Sequence, residues 1–329
     1  MRGLVVVALL VCAAPLRADQ ILIPEGAPPL LACGAANADW MQAAADERAF
    51  SPRVSVPDAG AGCTRTQLLR WHFTASVGVA RSLLSLRARY QHGFVAYLDG
   101  AEVARRRLPP AAPLDALANE VHGPEWEHIS LAVRGLNAGT HVLAVEVHPR
   151  TLGREPSFEV ALSASDAPRI TIGPYLLETT TRSARVAFET DVPTSAELAW
   201  GASEELGSSG VELGLDGVTR RHVFEIKGLR PATAYHYRVS ARAVGVSSPN
   251  ETEVYELHTP PERNRPLRFV IYGDVRSGHE IHADLVRAIR AEDPDLAIVT
   301  GDLVDMGSDE ADWTRYFEIA TPLLARVPA

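Results

Sequence analysis

The sequence predicts a multidomain chain: two consecutive all-β sandwiches, then the first β-α-β part of an α/β domain. Three observations carry that expectation. Residues 20 to about 165 hold short alternating runs broken by turn residues. A second series of such runs fills 167 to 261. Beyond "PPERNRP", residues 260–266, the apolar period changes, and a continuous apolar run is followed by helical spacing. The expected boundaries are 1–18, 19–165, 166–261 and 262–329.

The first eighteen residues read as a secretory signal peptide. Arg2 supplies a short positive start, Leu4 to Leu16 an apolar core of 13 residues, and Ala18 a small residue for cleavage. Thirteen apolar residues are too few to span a bilayer, so no transmembrane segment is expected. A lipid anchor at Cys12 is disfavoured, because "LLVC" lacks a small residue before the cysteine. Signal removal leaves Cys33 and Cys63 in an oxidising compartment, secreted, periplasmic or extracellular. They either pair as a disulfide or stay as two buried thiols. The balance of 46% hydrophobic and 22% charged residues suits a globular fold. With net charge −9, pI about 5.7 and no long basic run, no nucleic-acid partner is expected.

Within 19–165, "RSLLSLRARYQHGFVAYLDGAEVARR" places two strand-like runs around Asp99-Gly100. Both turn residues tolerate positive φ, which makes this a hairpin signal. "HISLAVRGL", "THVLAVEVHP" and "SFEVALSAS" follow. Val142, Ala144, Glu146 and His148 alternate with Leu143, Val145 and Val147, the pattern of a half-buried strand. Within 166–261, "SARVAFET", "SAELAWG", "RRHVFEIKGLRPATAYHYRVSA" and "EVYELHTP" read as strands. "PPERNRP" reads as a linker, since two prolines and its charges cannot continue a sheet interior.

The third region opens with "LRFVIYGD", expected to be a strand buried on both faces. "EIHADLVRAIRAED" carries Ile281, Leu285 and Ile289 at helical spacing beside Val286, and "PDLAIVTGD" is a second buried strand. Such a β-α-β unit makes the two strands parallel neighbours. Asp274 and Asp302 then sit just past neighbouring strand ends, about 4.8 Å being the strand spacing. Two such carboxylates repel unless a cation lies between them, and a pair of divalent cations resolves that conflict. The alternative is structural: Asp274 caps the following helix and Asp302 belongs to a turn. A final amphipathic helix is expected through Trp313, Tyr316, Phe317 and Ile319.

Three resemblances follow from these residues. "RYQHGFVAYLDGAEVARRRLP", "LNAGTHVLAVEVH" and "SFEVAL" resemble the galactose-binding-like jelly rolls attached to secreted hydrolases. "GLRPATAYHYRV" looks like a fibronectin type III strand pair, which implies that one of Tyr235 and Tyr237 is buried with its hydroxyl on backbone. "YGDVRSGHE" and "DLAIVTGDLVD" resemble the first two motifs of the calcineurin-like metallophosphoesterases, and the order of domains resembles purple acid phosphatases. The last resemblance covers about 65 residues. It implies a secreted enzyme hydrolysing a phosphate ester with two metal ions (Fe, Mn, Zn or Mg). Asp274 would bind one ion, Asp302 would bridge both, and Gly273 and Gly301 would shape the turns.

The chain departs from that family in three ways. Arg276 stands where many members have a metal-binding histidine, and a guanidinium cannot ligate. It would contact phosphate or serve as a structural ion pair. His279 is a substitute imidazole or a solvated residue at the helix start. Asp305 replaces the tyrosine of purple enzymes and would act as an acceptor behind the ligands. The Gly-Asn-His and Gly-His-x-His motifs are not in the sequence, and the resemblance therefore implies a catalytic domain interrupted at its midpoint and inactive alone. The reading of a different class is a secreted non-catalytic protein that binds carbohydrate or a surface through exposed aromatics such as Trp71 or Trp126, whose alternative place is the core. A third is a scaffold whose sheets act as spacers.

Overall fold

The computed structural model describes residues 19–34, 39–52, 63–77, 79, 82–120, 123, 126–153, 155–213, 217–246, 248–263 and 265–329. The expected signal segment, including Arg2 and Cys12, lies outside the described residues. The chain is mostly β, arranged as several sheets that pack as sandwiches.

The first unit contains β1 (Gln20–Ile23), β2 (Leu30–Cys33), β3 (Ser51–Pro52), β4 (Gln67–Ala75), β5 (Leu83–Tyr90), β6 (Gly93–Leu98), β7 (Ala101–Arg106), β8 (Trp126–Arg134), β9 (Gly139–His148) and β10 (Phe158–Ser165). One sheet has the order β1-β10-β5-β8, the other β3-β2-β4-β9-β6-β7. Period-2 side chains from both sheets meet in one core that includes Leu69, Leu84, Leu86, Phe94, Val145 and Leu162. Phe94 of β6 touches Phe158 of β10 at a ring distance of 5.1 Å, a contact that crosses the two layers. Asp99 and Gly100 have φ of 48° and 88° and form the tight turn between β6 and β7.

β9 differs from its expected half-burial. Residues 142 to 148 are all buried, because a loop covers the outer face of the sheet. Trp40 of that loop packs on Leu68, Val142 and Ala144. The loop is held by Arg70, only 1% exposed, whose guanidinium reaches Glu47 at 2.9 Å and the carbonyls of Trp40 and Gln42. Glu146 and His148 are buried as a hydrogen-bonded pair at 3.2 Å. Trp71, an exposed aromatic only on the carbohydrate-binding reading and otherwise a core residue, is 4% exposed and donates to the Ala27 carbonyl at 2.8 Å; it is core. Cys33 and Cys63 are joined as a disulfide with Cα atoms 5.6 Å apart.

The second unit contains β11 (Ile170–Thr179), β12 (Ser183–Gly201), β13 (Ser208–Ser209), β14 (Val211–Glu212), β15 (Thr219–Lys227), β16 (Ala234–Ala243), β17 (Asn250–Glu251) and β18 (Tyr255–His258). The 19-residue β12 serves two pairings. Its first half lies between β11 and β15, and its second half pairs with β13 and β16. The pairing with β15 loses register between Glu189 and Thr194, and the polar groups buried there satisfy one another: Thr194 Oγ1 lies 2.8 Å from His222 Nε2. Tyr235 and Tyr237 are both buried, where the resemblance implied one. The Tyr235 hydroxyl accepts from the Arg230 amide at 2.8 Å, and the Tyr237 hydroxyl donates to the Ala325 carbonyl at 2.7 Å.

The third unit contains β19 (Phe269–Tyr272), α1 (His279–Ala291), β20 (Leu296–Val299) and α2 (Glu310–Leu324). β19 and β20 are parallel neighbours. They are covered on one face only, by α1 and α2, through Val270, Tyr272, Ala297 and Val299. On the other face Phe269, Ile271 and Ile298 are 50%, 59% and 41% exposed, a correction to the expected burial on both faces. In α1, Val286 and Ile289 face the core, but Ile281 is 74% exposed and His282 is buried in its place. The His282 ring stacks on Tyr316 at 5.5 Å, and neither of its nitrogens has a hydrogen-bond partner among the described residues.

Two outcomes are expected. Replacing Cys33 and Cys63 by alanine frees a loop with a sequence separation of 30 and should lower stability by about 3–4 kcal/mol, read as a lower denaturant midpoint. Burial holds the His282 pKa below its ordinary value. The folded state therefore keeps His282 neutral while the unfolded chain takes up a proton. Stability should fall as pH drops below about 6.5, the unfolded value. His282→Phe should flatten that part of a melting-temperature profile between pH 7 and pH 4.

Candidate functional site

Two places in the fold gather candidate side chains: the Gly-Asp loops after β19 and β20, and a cleft between the three units.

The parallel pairing of β19 and β20 brings the two Gly-Asp loops side by side, and backbone bonds lock them together. Asp274 N donates to the Gly301 carbonyl at 3.0 Å, and the amides of Val275 and Arg276 both donate to the Asp302 carbonyl at 2.9 Å. Asp274 and Asp302 take left-handed φ of 56° and 52°, and Gly301 has φ 110°. Gly273 permits the close approach: a Cβ there would collide with Thr300 Oγ1 and lie 3.1 Å from the Gly301 carbonyl oxygen. Both carboxylates point to solvent, with side chains 79% and 59% exposed. Arg276 stands between them, 3.9 Å from Asp274 and 3.7 Å from Asp302. His279 begins α1 half-buried, and Asp305 is exposed in the following loop. The expected site residues are thus neighbours, but the charge between the carboxylates is a guanidinium. Two carboxylates and an arginine are not a donor set for two metal ions. Among the described residues no three His, Cys, Asp or Glu side chains are grouped to hold one.

The larger concavity has a volume of about 1030 Å³. Its floor is the outer face of β5 and β8. In "WEHISL" the pleat turns Glu127, Ile129 and Leu131 inward, and Trp126, His128 and Ser130 outward. Cross-strand register sets Arg89 opposite Trp126 and Arg87 opposite His128. The guanidiniums of Arg87 and Arg89 lie 4.8 Å and 5.3 Å from the Trp126 ring centre. The second wall comes from β11, β12 and β15, with Tyr175, Glu189 and Arg221. The third is α2, where Phe317 packs on Tyr175 and Trp313 on Phe317.

Most charges here are paired at short range. Arg106 meets Glu127 at 2.6 Å, and the Tyr90 hydroxyl donates to the same carboxylate at 2.6 Å. Burial and that carboxylate push the Tyr90 pKa up. Arg221 meets Glu189 at 2.7 Å, and Arg107 of the first unit meets Asp309 at 2.8 Å. Asp309 also caps α2, accepting from the Ala311 amide at 2.9 Å. His128 is open to solvent at the cleft surface, yet its pKa is pushed down to about 4 by desolvation in the concavity and by the charges of Arg169, Arg87 and Arg315. At neutral pH it is uncharged and accepts from Arg169 through Nδ1 at 2.6 Å.

Sequence reasoning named Trp126 here and missed the rest. The one local signal was "WEHIS", a strand whose outward side chains are aromatic and polar while its inward ones are core. The other walls come from residues 40 to 190 positions away, which no local motif can join.

No protein-family model matches the chain. No curated protein matches it. Solved structures do. A glycosyl hydrolase family 2 member from Bacteroides cellulosilyticus DSM 14838 is similar at 9% identity and TM-score 0.40, covering 92% of this chain and 46% of that one. Ruminococcus gnavus β-glucuronidase is similar at 10% identity and TM-score 0.38, covering 85% and 52%. The same enzyme in complex with D-glucaro-d-lactam gives 10% identity and TM-score 0.42, covering 95% and 60%. The chain spans about half the length of the structures it matches, and at these TM-scores no activity transfers from them.

These neighbours correct the sequence expectation. They are glycoside hydrolases, not calcineurin-like metallophosphoesterases or acid phosphatases. The expected family, the phosphoester hydrolysis and the phosphate ester substrate are withdrawn on that finding. The physical reason the motif misled is local. Gly-Asp after a parallel strand also satisfies a purely structural need, two interlocked loops with left-handed aspartates around an arginine.

That need makes a prediction. Gly273→Ala should lower stability by about 1–3 kcal/mol through the clash with Thr300, read by thermal denaturation. Thr300→Ala in the same chain should recover most of the loss.

Proposed function

We propose that this chain is a secreted, non-catalytic carbohydrate-binding β-sandwich protein whose ligand seat is the cleft over β8. The first unit is then a galactose-binding-like jelly roll and the second a fibronectin type III-like sandwich, followed by a small α/β unit that supplies the cleft's third wall. The observation that carries the reading is the cleft's composition. Half-exposed indole and phenol rings, Trp126, Trp313 and Tyr175, stand among side chains whose polar atoms are fixed by neighbours. Apolar sugar faces pack on such rings, and fixed polar groups orient the hydroxyls. Secretion is supported by the Cys33–Cys63 disulfide, a bond that persists in oxidising compartments. Among the described residues no helix is long and apolar enough to cross a membrane.

The test is a glycan array probed with the full chain, followed by calorimetric titration of the best ligand. Binding should be detected, and Trp126→Ala should weaken it by about tenfold with an unchanged circular dichroism spectrum. A blank array, or a Trp126→Ala variant that binds as well as the parent, would overturn the reading.

A further inference from the structure

The cleft is not electrically uniform. Its inner charges are matched by carboxylates at 2.6 to 2.8 Å. The corner around His128 is different. Among the described residues Arg87 pairs with Glu25 alone, at 3.6 Å, and Arg315 with Glu318 alone, at 3.4 Å, all on exposed side chains. Arg169 contacts no carboxylate through its guanidinium among the described residues, and its partner is the neutral imidazole of His128. Asp191, beside it, is already engaged: Oδ1 accepts from the Arg169 backbone amide and Oδ2 from the Ser130 hydroxyl, both at 2.8 Å. Arg169 thus bonds to His128, Arg87 stands opposite it in the strand register and Arg315 lines the same cleft, beside the half-exposed Trp126 indole, in a protein of net charge −9.

We propose that this corner is an anion subsite that selects a sugar carrying a carboxylate or sulfate group. The inference rests on the carbohydrate-binding reading and names the ligand class for the same cleft. A planar guanidinium donates two parallel hydrogen bonds to a carboxylate or a sulfate face, which a neutral hydroxyl cannot match. His128 completes the set, since its Nδ1 accepts from Arg169 and the Nε2 proton is free to donate to the same anion. Trp126, backed by Arg87 and Arg89, supplies the ring on which the sugar carrying that group lies.

The experiment titrates the full chain with trigalacturonate, a sulfated disaccharide, maltotriose and inorganic sulfate, each at low and high salt. The expected result is that trigalacturonate or the sulfated disaccharide binds about tenfold more tightly than maltotriose. Arg169→Ala should erase that difference, and salt should diminish it. The two acidic ligands tell a carboxylate from a sulfate preference, and preference for either supports the subsite. Equal binding of acidic and neutral sugars, unaffected by Arg169→Ala, would overturn the subsite and leave carbohydrate binding standing. Binding of inorganic sulfate that depends on Arg169, with no sugar bound, would keep the subsite and remove the carbohydrate reading. No binding of any of the four ligands would overturn the subsite.

Discussion

The seating of α2 is the constraint on which the rest of the structure depends. At its C-terminal end the Tyr237 hydroxyl, deep in the second sandwich, holds the Ala325 carbonyl, and Ala325 itself belongs to that sandwich's core. At its N-terminal end Asp309 caps the helix with one oxygen and holds Arg107 of the first sandwich with the other. Along its length Phe317 packs on Tyr175 of β11. One helix thus fixes two sandwiches relative to each other. Without it the cleft would have a floor and one side, and Arg107 and Asp309 would each lose a largely buried partner, which is costly in both directions.

The same helix shows why composition at a boundary is an incomplete guide to separability. "PPERNRP" cannot form a sheet interior, and its described residues lie in no helix or strand. Yet the segment beyond it folds back onto the second sandwich. A linker reports that the chain changes direction. It does not report whether the surfaces on either side are apolar enough to weld together, and here Tyr175, Phe317 and Ala325 are.

Much of the architecture was legible because period-2 alternation and turn residues are local signals. Asp99-Gly100 marked its hairpin, strands such as β5, β6, β9, β10, β12, β15 and β16 were read while β4 and β11 were not, and the β-α-β reading placed two parallel neighbours. What was not legible is what covers each face. β9 alternates like a half-exposed strand, but Trp40 and Arg70 arrive from distant positions to bury its outer side. Ile281 has the spacing of a core residue and is exposed, while His282 takes the inner place against Tyr272 and Tyr316. The candidate site shows the same division. The Gly-Asp motifs were visible because they are contiguous, and their meaning was misjudged because Arg276 closes the gap between the carboxylates. The cleft was nearly invisible because it is assembled from β5, β8, β11, β12, β15 and α2, of which only the β8 stretch "WEHIS" has a pattern of its own.

The uncovered face of β19 and β20 has a consequence for the protein as a solute. Phe269, Ile271 and Ile298 form an apolar strip on a strand pair in which, among the described strands, β19 pairs with β20 alone. Such a strip beside a strand edge is adhesive toward any like surface. At neutral pH the net charge of −9 keeps copies apart. Near the isoelectric point of about 5.7 that repulsion vanishes. Self-association near that pH then has a ready seat in these three side chains, on the smallest of the described sheets, outside the two sandwiches that make up most of the chain.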